Sequence, residues 1–252
     1  MIPFFATIIS LVFFSFAGLA HTHDTAPPPK QSWGFNSLLG TFNRPALQRG
    51  FQVYKEVCST CHSLKRVSYR NLSALGFNPD EVKALAAQHE VTDGPNDEGQ
   101  MFQRKALPSD PFVNPFANDK AARVANNGSL PPDLSLIVKA RVGGADYIYS
   151  LLTGYANSPP QLKAEEGQHY NPYFPGGFIG MANPLTADQV VYSDGTTASV
   201  GQMSRDVVEF LAWAAEPELE QRKQMGVKVL LYLAFMTIIF YLTYRKIWRG
   251  IK

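Results

Sequence analysis

The sequence predicts a mainly α body of short helices joined by long loops, followed by one C-terminal transmembrane helix. Three observations predict it. Apolar residues recur at helical spacing in a few short segments, 18 prolines and 19 glycines punctuate the stretches between them, and Val229 to Tyr244 carries no charge. The chain divides into an export signal over 1–20, a body over 21–224, and an anchor with a short tail over 225–252.

The first twenty residues are apolar through Phe13, Phe14 and Phe16, and Gly18 and Ala20 give the small side chains that signal peptidase accepts. No Lys or Arg precedes this core, which leaves a retained N-terminal anchor as the alternative. His21 to Lys30, with three successive prolines, reads as an extended linker. At the other end, the 16 residues from Val229 to Tyr244 would span about 24 Å as a helix at ~1.5 Å per residue. A bilayer core needs about 30 Å. Starting the helix at Met225, with Lys228 snorkelling, closes that gap, and Tyr232, Tyr241, Tyr244 and Trp248 suit the interfacial belts. A buried core helix, the alternative, leaves the cations that follow at Arg245, Lys246, Arg249 and Lys252 without a reason. They place the C-terminus on the cytoplasmic side and the body outside, a signal that Arg222, Lys223 and Lys228 on the opposite flank weaken.

Before residue 225 there are 18 basic and 21 acidic residues, so the body carries about −3. That charge favours a basic partner and gives no patch for the phosphates of nucleic acid.

Within the body, Pro45 to Val57 reads as an amphipathic helix with Leu47, Phe51, Val53 and Tyr54 apolar and Gly50 small enough for a close helix crossing. Its expected partner runs from a Ser204 cap, with Asp206 in the first turn, to Ala215, and carries Val207, Phe210, Leu211 and Ala214 on one stripe. Two further helices are expected, Asp80 to His89 and Ala145 to Thr153, the second ended by Gly154.

The two cysteines of the chain stand in Cys58-Ser59-Thr60-Cys61-His62. This Cys-x-x-Cys-His string is the attachment site of a c-type haem: two thiols three positions apart reach the two vinyl groups on one porphyrin edge, and the adjoining imidazole reaches the iron. A thioredoxin-like pair lacks its βαβ surroundings here, a zinc site lacks a second Cys-x-x-Cys, and thioether formation leaves no thiol for a disulfide. The predicted fold is therefore a cytochrome c-like, haem-wrapping domain with long loops.

A sixth iron ligand separates an electron carrier from an open, substrate-binding iron. The candidates are Met101, Met181, Met203, His89 and His169. Met203 and His89 look structural, set beside a helix cap and on a packed helix. Met181 lies in the Pro/Gly-rich, aromatic-flanked stretch Asn171 to Pro184, suited to keeping water off a haem face, and is preferred. Met101 comes second, and His169 would give a bis-His centre of lower potential.

Four strings go beyond the attachment motif: Gly50 to His62, Ala125-Asn-Asn-Gly-Ser-Leu-Pro-Pro-Asp-Leu-Ser135, Tyr149-Ser-Leu-Leu-Thr-Gly-Tyr155, and the Met181 loop. With them the chain resembles the cytochrome c1 family, the haem c subunits of the cytochrome bc1 complex (quinol:cytochrome c oxidoreductase), from about Trp33 onward. The resemblance implies one covalently bound haem c on Cys58 and Cys61, with His62 and Met181 as axial ligands. Asn126, Pro131, Pro132, Arg141 and Tyr147 would line the haem pocket, Arg141 pairing with a propionate and Arg123 competing for that role. It further implies the cytochrome b and Rieske iron-sulfur subunits as partners, the latter as electron donor, and soluble cytochrome c as acceptor. Asp93, Asp97, Glu98, Glu165 and Glu166 are candidates for steering a basic acceptor. The export signal and the lack of an Arg-rich presequence favour a bacterial inner membrane, haem domain periplasmic, over a mitochondrial inner membrane. A haem peroxidase or reductase would need distal polar residues and usually more than one haem string, and the sequence has one string; an anchored sensor would need a signalling domain after the anchor, where only a few residues are expected to follow.

Overall fold

The computed structural model describes residues 25–250. The expected export signal over 1–20 and the final Lys252 lie outside the described residues. The body is helical, as expected. Its elements run α1 (Arg44–Glu56), α2 (Pro79–Ala86), β1 (Glu90–Asp93), β2 (Phe102–Lys105), α3 (Asp119–Ala125), α4 (Ile137–Ala140), α5 (Gly144–Thr153), β3 (His169–Tyr170), β4 (Phe178–Ile179), α6 (Val200–Ala215) and α7 (Leu219–Trp248).

The core is built around α6, from Met203 to Ala214 buried almost without interruption, so the helix is enclosed on more than one face. Each of its large side chains contributes about 2 kcal/mol by leaving water. Helix α1 forms the most extensive packing with it. Asn43 caps α1 by accepting from the Ala46 amide at 3.2 Å, and Pro45 presets the first turn. The crossing needs Gly50: a Cβ there would lie 2.0 Å from the Asp206 carbonyl oxygen and 2.7 Å from Phe210 Cβ. Phe51 and Tyr54 then meet Phe210 at ring-centroid distances of 5.8 and 5.7 Å.

Two helix starts and one end differ from expectation. Helix α6 begins at Val200, capped by Ser199, whose hydroxyl accepts from the Gln202 amide at 3.2 Å. Ser204 is fully buried inside the helix, and Asp206, also buried, serves an ion pair: Arg49 Nε and Nη2 bond its two oxygens at 2.9 and 3.0 Å. Asn78 and Glu81 form a capping box at the start of α2. That helix ends at Ala86, short of His89, because the His89 carbonyl turns away to accept from Ala106 N at 3.0 Å and the chain enters β1. The strands form two antiparallel hairpins, β1 with β2 (Glu90 opposite Lys105) and β3 with β4 (His169 opposite Ile179), which periodicity did not announce.

Helix α7 starts six residues before the expected Met225 and runs for 30 residues, about 45 Å at ~1.5 Å per residue. Its apolar window is wholly unburied, so it has the length and surface of a bilayer span. Its first turn belongs to the body, where Leu219 is buried and Glu220 accepts from the Phe42 amide at 2.8 Å.

Candidate functional site

Helix α1 delivers the Cys-x-x-Cys-His string into a single tight turn. The amides of Cys61 and His62 both bond the Cys58 carbonyl, at 3.1 and 2.9 Å. Ser59 Oγ donates to the Lys55 carbonyl at 2.7 Å and Tyr54 Oη to that of His62 at 3.2 Å, which ties the turn to the helix before it. Burial pushes the Cys58 thiol up to about 12, so before modification it is a protonated thiol. Among the described residues no three His, Cys, Asp or Glu side chains converge as a metal cluster.

The imidazole is oriented by a backbone acceptor. His62 Nδ1 lies 2.8 Å from the Pro132 carbonyl oxygen. A carbonyl only accepts, so Nδ1 carries the proton and Nε2 keeps its lone pair for a metal. Burial lowers the His62 pKa, against the opposing Pro132 bond and Asp133 charge, which keeps the ring neutral. The loop bearing Pro132 is laced to the turn: Leu134 N donates to the Ser63 carbonyl at 2.9 Å, Ser63 Oγ and Lys65 N donate to Asp133 at 2.8 and 2.9 Å, and Arg66 N donates to Ser135 Oγ at 3.1 Å.

Met181 follows β4 on a loop held at three points. The fully buried Asn171 donates from Nδ2 to the Leu151 carbonyl on α5 at 2.8 Å, and Tyr155 Oη donates to the Met181 carbonyl at 3.0 Å. A Cβ on Gly180 would lie 2.4 Å from Ser129 Oγ, so the methionine loop rests against the loop that carries Pro131 and Pro132. The structure thus brings Met181 and the His62 turn to two adjoining loops.

The remaining pocket candidates lie at the end of α3, in the loop after it, and on the segment from α4 to α5. Tyr147 is buried on α5, and burial raises its pKa against the nearby positive Arg141. Arg141 is exposed and donates to its neighbour's carbonyl, at Ala140, at 3.3 Å. Asn126 ends α3, donating to the Ala122 carbonyl at 2.7 Å; Pro131 is half-buried, Pro132 exposed. Arg123 is also exposed and donates to the Gly128 carbonyl at 3.0 Å. Among the rival ligands, Met203 is fully buried in α6, His89 stacks on Tyr69 at 5.7 Å, Met101 is 60% exposed beside β2, and His169 faces solvent from β3. Tyr155, Asn171 and Asp133 fall within the family-like strings, yet nothing in the sequence assigns them a role. Their signal is weak: an Asn before a proline and an Asp after two.

Val57, next to Cys58, and the hydrogen-bonded pair Tyr155 and Met181 are half-buried against the core. An oriented imidazole following two thiols three positions apart fits a macrocycle fixed by its edge. A helical body with this site, carrying among the described residues one helix long and apolar enough to cross a membrane, has the build of a membrane-anchored c-type cytochrome.

The comparisons give the particular family. The chain belongs to the Cytochrome C1 family, which matches residues 33–251. It is 51% identical over 239 residues to "Cytochrome c1" of Rhodospirillum rubrum, covering 88% of each chain. It is 52% identical over 224 residues to "Cytochrome c1, heme protein, mitochondrial" of Neurospora crassa, covering 88% of this chain and 68% of that one. It is 48% identical over 226 residues to the "Cytochrome b-c1 complex catalytic subunit, mitochondrial" of Candida albicans, covering 89% and 78%. The cofactor of the family is one covalently bound haem c, and its members are electron-transfer subunits of the bc1 complex.

Proposed function

We propose that the chain takes an electron from the Rieske iron-sulfur subunit beside cytochrome b and delivers it to soluble cytochrome c, as a redox carrier within quinol:cytochrome c oxidoreductase. Cys58 and Cys61 would hold the haem by thioethers, His62 Nε2 and Met181 Sδ would bind its iron, and Asn126, Pro131, Pro132, Arg141 and Tyr147 would line its pocket. The haem supplies a reversible one-electron change at its iron. The observation that carries the reading is the 2.8 Å bond from His62 Nδ1 to the Pro132 carbonyl, which readies Nε2 as a ligand.

The residues act by holding geometry. Asp133, Ser135 and the Ser63 carbonyl fix the loop that aims His62. Asn171 and Tyr155 fix the loop that presents Met181, whose neutral sulfur favours ferrous iron and a high potential. With His62 and Met181 both given to the iron, no open position would be left for a substrate, as a carrier requires. Arg141, exposed and donating to the carbonyl of Ala140, would pair with a propionate. Asp97, Glu98, Glu165 and Glu166 are exposed and suit steering of a basic acceptor, whereas Asp93 is already paired with Arg104. The domains follow the topology read from the sequence: signal 1–20, haem domain 21–224 in the periplasm of a bacterium, anchor 225–252 in the inner membrane.

Gentle solubilisation of membranes tests the assignment. The chain should copurify with a di-haem b subunit and an iron-sulfur protein, and its reduction of cytochrome c should slow as ionic strength rises. Purification alone in active form would overturn it.

A further inference from the structure

The segment Ser37 to Gly40 carries two adjacent leucines in the open, Leu38 84% and Leu39 69% exposed. It is not a loose loop. Lys223 Nζ donates to the carbonyls of Phe35, Ser37 and Gly40 at 2.6, 2.6 and 3.2 Å, which uses all three of its protons. Gly40 closes the turn where a Cβ would strike the Gly34 carbonyl oxygen at 2.1 Å. Behind it, the buried rings of Trp33, Phe35 and Phe42 pack in series at centroid distances of 5.6 and 5.2 Å. Such a braced turn presents its leucines as a fixed feature.

Its place decides what it faces. Among the described residues, the hydrogen bonds between body and α7 end at Lys223, so this turn is the part of the body fastened furthest along the helix. Lys223 stands two residues before Met225, about 3 Å of helix rise at ~1.5 Å per residue. A headgroup layer is about 5–8 Å deep on each side of the hydrocarbon. With Met225 taken as the start of the hydrocarbon span, the turn sits at headgroup level, where a pair of exposed leucines would reach acyl chains instead of water. We propose that Leu38 and Leu39 form a second, shallow membrane contact that inserts into the lipid leaflet beside α7 and, through Lys223, sets how the body stands on the bilayer.

Site-directed spin labelling in the intact, reconstituted complex tests this. Leu39→Cys, labelled and placed in phosphatidylcholine–phosphatidylglycerol vesicles, is compared with Ser73→Cys on a distant exposed turn. The proposal expects the label at 39 to collide with oxygen, which dissolves in lipid, and to be shielded from a water-soluble nickel chelate, while the label at 73 meets the chelate freely. Free access of the chelate to position 39 would overturn it. Shielding from both reagents would also overturn it, since a neighbouring subunit and not lipid would then cover the turn.

Discussion

Replacing Arg49 by Met separates two accounts of the crossing between α1 and α6. If apolar packing alone holds the crossing, the change is mild. The structure says otherwise: Asp206 is 1% exposed, both of its oxygens are bonded by the Arg49 guanidinium, and a third bond comes from Gln202 Nε2 at 3.0 Å. Removing one partner of a buried pair costs about 3–5 kcal/mol, because the other charge is left unpaired. Partial exposure of Arg49 and the surviving Gln202 bond, worth ~1 kcal/mol, place this case near the low end, at about 3 kcal/mol. For a body of this size that lowers the melting temperature by about 6–12 °C. Thermal unfolding of the purified holoprotein, followed by circular dichroism, measures it. The double variant Arg49→Met with Asp206→Leu should recover most of the loss, since an apolar pair restores the packing without a stranded charge. A single variant costing under ~1 kcal/mol, or a double variant no better than the single, would refute the reasoning.

Gly50→Ala should destabilise by about 2–3 kcal/mol through overpacking, since its Cβ would sit 2.0 Å from a backbone carbonyl; lower holoprotein yield and melting temperature are the readouts. Asn171→Ala removes a fully buried amide from the Leu151 carbonyl, at a cost of about 1–3 kcal/mol, and should speed proteolysis within 171–184. Desolvation raises the Asp133 carboxyl, but bonds from Ser135, Lys65 and Ser63 outweigh it and hold the pKa below the usual value. Its contribution is thus present above the unfolded carboxylate value and fades as pH falls through the folded one, so the stability gap between wild type and Asp133→Ala should narrow below about pH 4 in melts run across the acid range. Met181→Leu should abolish the weak sulfur-to-iron absorption band near the red end of the ferric spectrum while leaving the haem attached; an unchanged band would reassign the ligand.

The parts of this protein that local sequence dictates are legible in the order of its residues. A small Gly50 inside an amphipathic segment announces the close crossing, and an uncharged run announces the anchor. What depends on distant partners is not legible. Ser204 and Asp206 look like a cap and its first-turn acid, yet Arg49, 157 positions away, takes Asp206 and the true cap is Ser199. The start of α7 is hidden because Glu220 and Lys223, polar in sequence, are spent on backbone groups of residues 35–42. At the site, the attachment string carries its own chemistry, but the bonds that aim it, from Pro132 and Asp133, and those that hold the Met181 loop, from Asn171 and Tyr155, join segments far apart in the chain. No periodicity encodes such contacts.

Everything turns on a porphyrin joined covalently to Cys58 and Cys61, and intact-mass spectrometry of the mature polypeptide after acid-acetone extraction measures that most directly. The account predicts a chain heavier by one haem whose pigment stays with the protein, and loss of both properties in Cys58→Ala with Cys61→Ala. A polypeptide at its bare mass, with the pigment in the acetone, would contradict it.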